Sequence, residues 1–396
     1  MPNLRFRLFV DYYVGGILHA LLKPPTMLLG KLLRRDHDLA TCRSVTFVKL
    51  LGGGSLVTAY PCLLALRDGG TIRQLRFLGT PRTAAFAEVL GVFDEIIVIP
   101  DRTWWGLIWG SLRAMGRLLR TDAIVDLEIH SRLSTILCLL TLARNRIGAY
   151  TDNSFWRRNV ATHLLFYNRR APVYEFYAQV ARLFGCSAAP FDACGERLGA
   201  RIAARQAPAP EAAAEDLAIA PVCSDLARER MLDAAGWRAV LARGRGAAPR
   251  IHVLGGPDDR AEAQRLCGEF AAAFPGVEFI NHAGSLTLEQ SAALLRKVKR
   301  LVCVDSALLH LARLLGVATE SYWGPTDPAM FLAPSAAGRD SVHYRRIGCS
   351  PCVHIANVAP CQGRNICMRF AVDPECGLDD HPLWLAQELG KKKGRG

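Results

Sequence analysis

The sequence predicts an α/β protein made of two Rossmann-like domains that face each other across a cleft. Three observations carry this prediction: the length, a regular alternation of β-rich and helical segments, and an Ala/Pro-rich break near the middle of the chain. At 396 residues the chain exceeds one ordinary domain and has room for two separate cores. Hydrophobic residues make up 51% of it, which excludes a disordered protein. Lysine and arginine outnumber aspartate and glutamate by 49 to 36, a formal charge of +13. That balance favours an anionic partner: nucleic acid, an acidic membrane surface or a phosphorylated substrate.

Residues 1–43 form the first unit. Two short apolar segments flank Pro24-Pro25, with Tyr12 and Tyr13 near the start and basic residues at both ends. This pattern suits helices lying in a membrane interface, with aromatics at headgroup level and Lys/Arg toward anionic lipid. No secretory signal is recognisable and no apolar run is long enough to span a bilayer. Most of the thirteen cysteines sit singly in apolar stretches, as Cys42, Cys62, Cys138 and Cys303 do, which points to a reducing cytoplasm.

Residues 44–198 form the expected first domain. The stretch 44–51 (SVTFVKLL) reads as a buried strand, Gly52-Gly53-Gly54-Ser55 as a loop and 56–67 as a helix. Strands follow at 74–78, 95–99, 123–127 and 146–149, with helices at 83–90, 103–119 and 134–143 between them. Such alternation implies a parallel sheet covered by helices. The helix at 103–119 carries Trp104, Trp105 and Trp109 beside Arg113, Arg117 and Arg120. It is expected to bury its apolar side in the core and to solvate its basic one, in preference to forming a membrane or nucleic-acid surface. Residues 199–216 lack periodicity and are expected to be a linker.

Residues 217–345 repeat the pattern, with strands at 217–221, 250–254, 278–280, 301–304 and 319–323 and helices near 260–273, 287–297 and 306–315. Ligands in such sheets bind beyond the carboxyl ends of the strands. At Asp305-Ser306 a buried strand ends and a helix begins. Either side chain can cap the free N–H groups there, and the helix N-terminus suits a phosphate. His310 lies one turn into that helix. The next strand ends in the rigid turn Gly324-Pro325-Thr326-Asp327-Pro328. On spacing alone, an ordinary capped αβ unit and a ligand site are equally compatible with this segment.

Residues 304–328, VDSALLHLARLLGVATESYWGPTDP, resemble the signature of glycosyltransferase family 9, the heptosyltransferases of lipopolysaccharide core assembly. Blocks at 45–67, 126–134, 144–150, 252–266 and 281–295 resemble the family in the same order, so the similarity spans about residues 45–335. The resemblance implies a GT-B fold and inverting transfer of a sugar from a nucleotide donor such as ADP-heptose to a hydroxyl on a lipid-linked glycan. It implies no catalytic metal, so helix N-termini and Lys/Arg must neutralise the departing diphosphate. The expected donor-binding residues are Asp305, Ser306, Ala307, Leu308, His310, Gly324, Thr326 and Asp327, with Gly255, Gly256 and Asp258 from the second strand loop. Arg230, seven residues before Trp237, stands where the family has a lysine; Arg228 is its neighbour. Arginine keeps the charge and can clamp phosphate through two donors.

The sequence departs from the family at two places. Ala307 replaces a glycine. Ser55 replaces the aspartate that is the family's presumed base, and a hydroxyl is a poor base without an activator. Glu128 and His130, expected at the carboxyl edge of the same sheet, are the substitutes. Gly52, Gly53, Gly54 and Arg132 are expected to form the acceptor-side loop. A lapsed, nucleotide-sugar-binding scaffold and a GT-B-like epimerase are the alternatives. The implied partners are a nucleotide-sugar, the acceptor and an anionic inner-membrane surface, with the protein cytoplasmic and peripheral. Nucleic acid is not expected, because the basic residues are spread along the chain.

The tail, 346–396, is cysteine-rich. Cys349, Cys352, Cys361 and Cys367 are a possible tetrahedral ligand set for a structural Zn or Fe, with Cys376 further on. The basic run 391–395 is either an electrostatic attachment or a disordered end.

Overall fold

The computed structural model describes residues 4–206, 208–223, 227–353, 355–356, 359–361 and 363–375. Cys376 and the basic run at 391–395 lie outside these residues. Among the described residues twelve strands form two six-stranded sheets, and every strand pair is parallel. Parallel strands need a crossover between neighbours, and here each crossover is helical.

In chain order the first half runs α1 (Leu4–Leu33), β1 (Ser44–Lys49), α2 (Gly53–Thr58), α3 (Tyr60–Asp68), β2 (Gln74–Gly79), α4 (Pro81–Leu90), β3 (Glu95–Val98) and α5 (Trp104–Leu118). It continues through β4 (Ala123–Asp126), α6 (Arg132–Leu140), β5 (Asn145–Tyr150), β6 (His163–Phe166), α7 (Val173–Leu183) and α8 (Phe191–Arg205). The second half runs β7 (Leu217–Ala220), α9 (Ala234–Gly244), β8 (Arg250–Val253), α10 (Arg260–Ala273), β9 (Glu278–Asn281), α11 (Leu288–Leu295) and β10 (Arg300–Val304). It ends with α12 (Ala307–Leu314), β11 (Thr319–Trp323), α13 (Pro328–Phe331), β12 (Asp340–Tyr344) and α14 (Ile366–Val372).

The first sheet has the order β3-β2-β1-β4-β5-β6 and the second β12-β11-β10-β7-β8-β9. Both are the doubly wound order of dinucleotide-binding folds. In each, the winding reverses between the first and fourth strands of the sheet. The crevice at that reversal, beyond the carboxyl ends, is where such sheets hold ligands. It lies between β1 and β4 in one domain and between β7 and β10 in the other. The central strands β4, β7 and β11 are buried along their whole length, as expected for sheets covered on both faces.

The domains share apolar packing. One cluster runs from Phe47, Leu56 and Phe77 through Leu198 to Leu311 and Leu314 of α12. At Gly195 of α8 an added Cβ would lie 1.8 Å from the Leu314 carbonyl oxygen, so only glycine permits this approach.

Three expectations are corrected. The N-terminal segments are one helix, α1, that continues through Pro24 and Pro25. Helix α8 extends to Arg205, into the stretch expected to be a linker; its alanines favour helix, and the prolines at 208 and 210 disfavour continuation. Helix α5 solvates its basic side as expected, but its tryptophans are not in the core. Its buried residues are Ala114 and Leu118, while Trp104, Trp105 and Trp109 face outward. The small side of α5 packs inward because Gly110 sits against Pro100, where a Cβ would lie 2.7 Å from the proline Cδ. Strands β6 and β12, at sheet edges and without fully buried residues, were not expected from the sequence.

Candidate active site

The glycine loop leaves the carboxyl end of β1. Gly52 adopts a left-handed conformation, φ +80°, which a side chain would strain. Gly53 packs against the Phe86 ring, and Gly54 against α12, where a Cβ would stand 2.7 Å from His310 Cδ2 and 3.2 Å from Ala307 Cα. Glu128, just past β4, braces the same loop from across the crevice. Its Oε1 accepts the backbone N–H groups of Leu50 and Leu51 at 2.7 and 2.8 Å, and its Oε2 accepts Lys49 Nζ at 3.2 Å. The carboxylate is therefore engaged on both oxygens, an arrangement that suits holding the loop better than taking up a proton.

Ser55 lies half-buried on α2, close enough to the Tyr177 side chain to act on its hydroxyl, whose pKa is pushed up by burial. His130 is exposed in the turn before α6. Arg132, expected in the acceptor loop, instead binds α1: it donates to the Tyr12 carbonyl at 2.5 Å, and its guanidinium lies 4.5 Å from the Tyr12 ring centre.

The second crevice is organised around Asp305. Its Oδ2 accepts Arg230 Nη1 at 3.3 Å and Thr326 Oγ1 at 2.9 Å. His310 Nε2 stands 3.8 Å from Oδ1, beyond direct hydrogen-bond distance. Burial pushes the Asp305 carboxyl up, yet His310, Arg230 and Thr326 outweigh it and hold the group down at about 2. One buried carboxylate thus ties together the end of β10, helix α12, the proline turn and the segment before α9. The cap of α12 is Ser306, whose hydroxyl accepts Leu309 N at 3.4 Å; Asp305 plays no part in capping. Ala307 and Leu308 form the first turn and are half-buried.

Other expected donor residues prove to have structural partners. Asp327 caps α13 through Ala329 N at 2.9 Å. Gly324 is where the tail packs, since a Cβ there would lie 2.7 Å from Cys367 Sγ. Gly256 N donates to Asp259 at 2.8 Å, next to Gly255 at the end of β8. Asp258 forms an ion pair with Arg82 of α4, so it bridges the two domains. Sequence reasoning missed Arg82 and Lys49, because each acquires its role only through a partner far away in the chain.

The two crevices meet where α2 touches α12, with the glycine loop on one side and the Arg230–Asp305 pair on the other. A family model described as glycosyltransferase family 9 (heptosyltransferase) matches residues 113–362, well over half the chain. The chain belongs to glycosyltransferase family 9. Over 125 residues it is 28% identical to lipopolysaccharide heptosyltransferase 1 of Salmonella typhimurium, a match covering 31% of this chain and 35% of that relative. The solved structure of E. coli heptosyltransferase WaaC with ADP superposes with a TM-score of 0.59 at 18% identity, over 76% of this chain and 92% of that one. E. coli ADP-heptose lipopolysaccharide heptosyltransferase II superposes with a TM-score of 0.59 at 13% identity, over 77% and 91%. These structures share the GT-B arrangement of two facing parallel-sheet domains that family 9 shows here.

In this family 9 chain, Cys352, Cys361 and Cys367 are buried and Cys349 is half-buried, all as free thiols. Burial first, then the charges of the neighbouring thiols, pushes Cys352 up to about 11 and Cys367 to about 12. Among the described residues no group of three or more His, Cys, Asp and Glu side chains is arranged to hold a metal ion.

Proposed function

We propose that the protein transfers a heptose or related sugar, with inversion, from a nucleoside-diphosphate donor to a hydroxyl of a lipid-linked glycan, without a catalytic metal. The observation that carries this is the Arg230–Asp305 pair at 3.3 Å, set at the winding reversal of the second sheet and opposite the glycine loop of the first. The guanidinium is held by its carboxylate partner where a departing diphosphate would need a cation, beside the N-terminus of α12. A structural relative was solved with ADP-2-deoxy-2-fluoro heptose, which supports a donor of that class.

On the acceptor side, Glu128 serves as a positioning residue that shapes the loop. His130 is the base: an exposed imidazole beyond β4, a group that can accept a proton from a sugar hydroxyl. In the tail, the sequence spacing Cys349-x2-Cys352 followed by Cys361 and Cys367 supports a structural Zn or Fe that would draw these thiols together, and elemental analysis finding neither metal in protein purified without chelator would exclude it.

Incubating the protein with ADP-heptose, with and without a lipid-A-type acceptor, tests the reaction. Acceptor-dependent release of ADP is expected. Sugar isomerisation or ADP release that ignores the acceptor would indicate an epimerase or hydrolase. A second reading, a binding scaffold without turnover, is favoured by Ser55 standing where the family has an aspartate; tight ADP-heptose binding with no transfer would establish it.

A further inference from the structure

Helix α1 is inside out. The residues it turns toward the protein are polar or small: Asp11, Gly15, His19, Lys23 and Thr26 are buried or half-buried, four or three apart along one side. Asp11 accepts Ser131 Oγ at 2.7 Å and the N–H groups of Arg132 and Leu133 at 3.0 and 2.9 Å, and so caps α6. His19 lies edge-on to Trp156 at 5.0 Å, and Lys23 Nζ donates to the Trp156 carbonyl. At Gly15 a Cβ would come within 2.8 Å of Arg132 Cβ. The apolar residues point the other way: Tyr13, Ile17, Leu21 and Leu28 are all more than half exposed. In water a helix so arranged is uncompensated, since an apolar stripe needs an apolar neighbour.

Helix α5 continues this face. Trp105 and Trp109 are 72% and 60% exposed, with Ile108 between them. Trp104 meets Phe6 of α1 edge-on, ring centres 5.7 Å apart, and Phe6, Phe9 and Tyr13 extend the row of rings. The two helices therefore present one apolar, aromatic-rich surface. Exposed basic side chains border it: Lys31, Arg34 and Arg35 at the end of α1, and Arg113 on α5. The nearby acids Asp36 and Glu95 are ion-paired to Arg144 and Arg117.

We propose that the α1–α5 face is a docking surface for an anionic lipid bilayer, lying along the membrane with Trp105 and Trp109 inserted at headgroup depth. Tryptophan and tyrosine beside an apolar strip, rimmed with cations, match the layered chemistry of that boundary. No helix among the described residues is long and apolar enough to cross a membrane, so α1 lies on the bilayer. A second copy of the chain fits less well, because a two-fold pairing of this face would set basic rim against basic rim. The surface is independent of which sugar is transferred.

The test is flotation of the full-length protein with vesicles of phosphatidylcholine alone or with about 30 mol % phosphatidylglycerol. Wild type is expected to float with the anionic vesicles and largely to remain behind with the neutral ones. Its tryptophan emission is expected to shift blue on binding and to be quenched by lipids brominated near the headgroup. The double variant W105E/W109E is expected to bind anionic vesicles about tenfold more weakly, with unchanged thermal stability and ADP affinity; a second variant, Ile17→Glu, is expected to do the same from α1. The proposal is overturned by wild type that floats with neither vesicle or equally with both. Variants that bind as wild type overturn it too, and so does a wild-type dimer that the variants dissolve without any lipid binding. Intact ADP binding in the same samples separates failure here from failure of the proposed transfer.

Discussion

Replacing Asp305 with asparagine tests the electrostatic centre of the donor half. The substitution keeps the shape and removes the charge. In the folded protein this carboxyl sits at about 2, against an ordinary 3.8, a difference of nearly two pH units. At 1.36 kcal/mol per unit, the charged form contributes on the order of 2–3 kcal/mol to stability at neutral pH. Because the folded value is depressed, that contribution is present above about pH 4 and is lost as pH falls through about 2. The variant also leaves the Arg230 guanidinium, only 14% exposed, without its counterion. That adds to the cost, although the retained carbonyl can still accept one hydrogen bond. The expected loss is about 2–4 kcal/mol at pH 7, seen as a fall of roughly 4–12 °C in melting temperature. Urea unfolding of both proteins at pH 7, 4 and 2.5 would show the gap between them narrowing at the lowest value. A gap that stays constant across this range, or a variant as stable as wild type, would refute the electrostatic account of Asp305.

Three further outcomes follow from the same geometry. Arg230→Ala is expected to weaken ADP binding by about 10- to 100-fold, the worth of a charge-assisted contact to phosphate, with Arg230→Lys retaining part of it; calorimetry reads both. Gly54→Ala forces a methyl to 2.7 Å from His310 Cδ2, against an ordinary contact of about 3.5–4.0 Å. It should cost about 1–3 kcal/mol in stability and weaken ADP binding, and unchanged melting would show that the α2–α12 contact is not tight. Glu128→Gln keeps one acceptor for Leu50 and Leu51 but turns an amide N–H toward Lys49. Stability should fall by about 1–3 kcal/mol and turnover should drop, while the pH–rate profile keeps its shape; loss of one limb of that profile would instead identify Glu128 as the base.

The parts of the molecule legible in the sequence are those encoded locally. The runs at 44–49 and 300–304 are apolar on both sides and bounded by turn residues, so their burial in parallel sheets could be read directly. The capped start of α12 was also legible, although a contiguous Asp-Ser pair could not show which of the two does the capping. What escaped depends on partners far along the chain. Glu128 is spent on residues more than seventy positions away, and Gly324 on a cysteine in the tail. Periodicity showed that α5 is amphipathic. Which side faces inward was decided by the fit of Gly110 to Pro100, and no pattern within the helix records that.

The bond from Asp11 to the first turn of α6 has a mechanical consequence. It joins α1 to the segment that carries Glu128 and His130, so the outer face of α1 and that segment move as one body. If α1 and α5 lie on a bilayer as proposed, this segment stands at a set height above the lipid surface, and the chain would act as a gauge. Any change in the angle between the two domains would then swing the second domain while the first stayed on the lipid. Under the proposed transfer, the reach would be limited by how far a lipid-borne hydroxyl can rise to meet that segment. Acceptors whose growing sugar lies closer to, or further from, the membrane than this height would be discriminated by geometry before any side chain reads their chemistry.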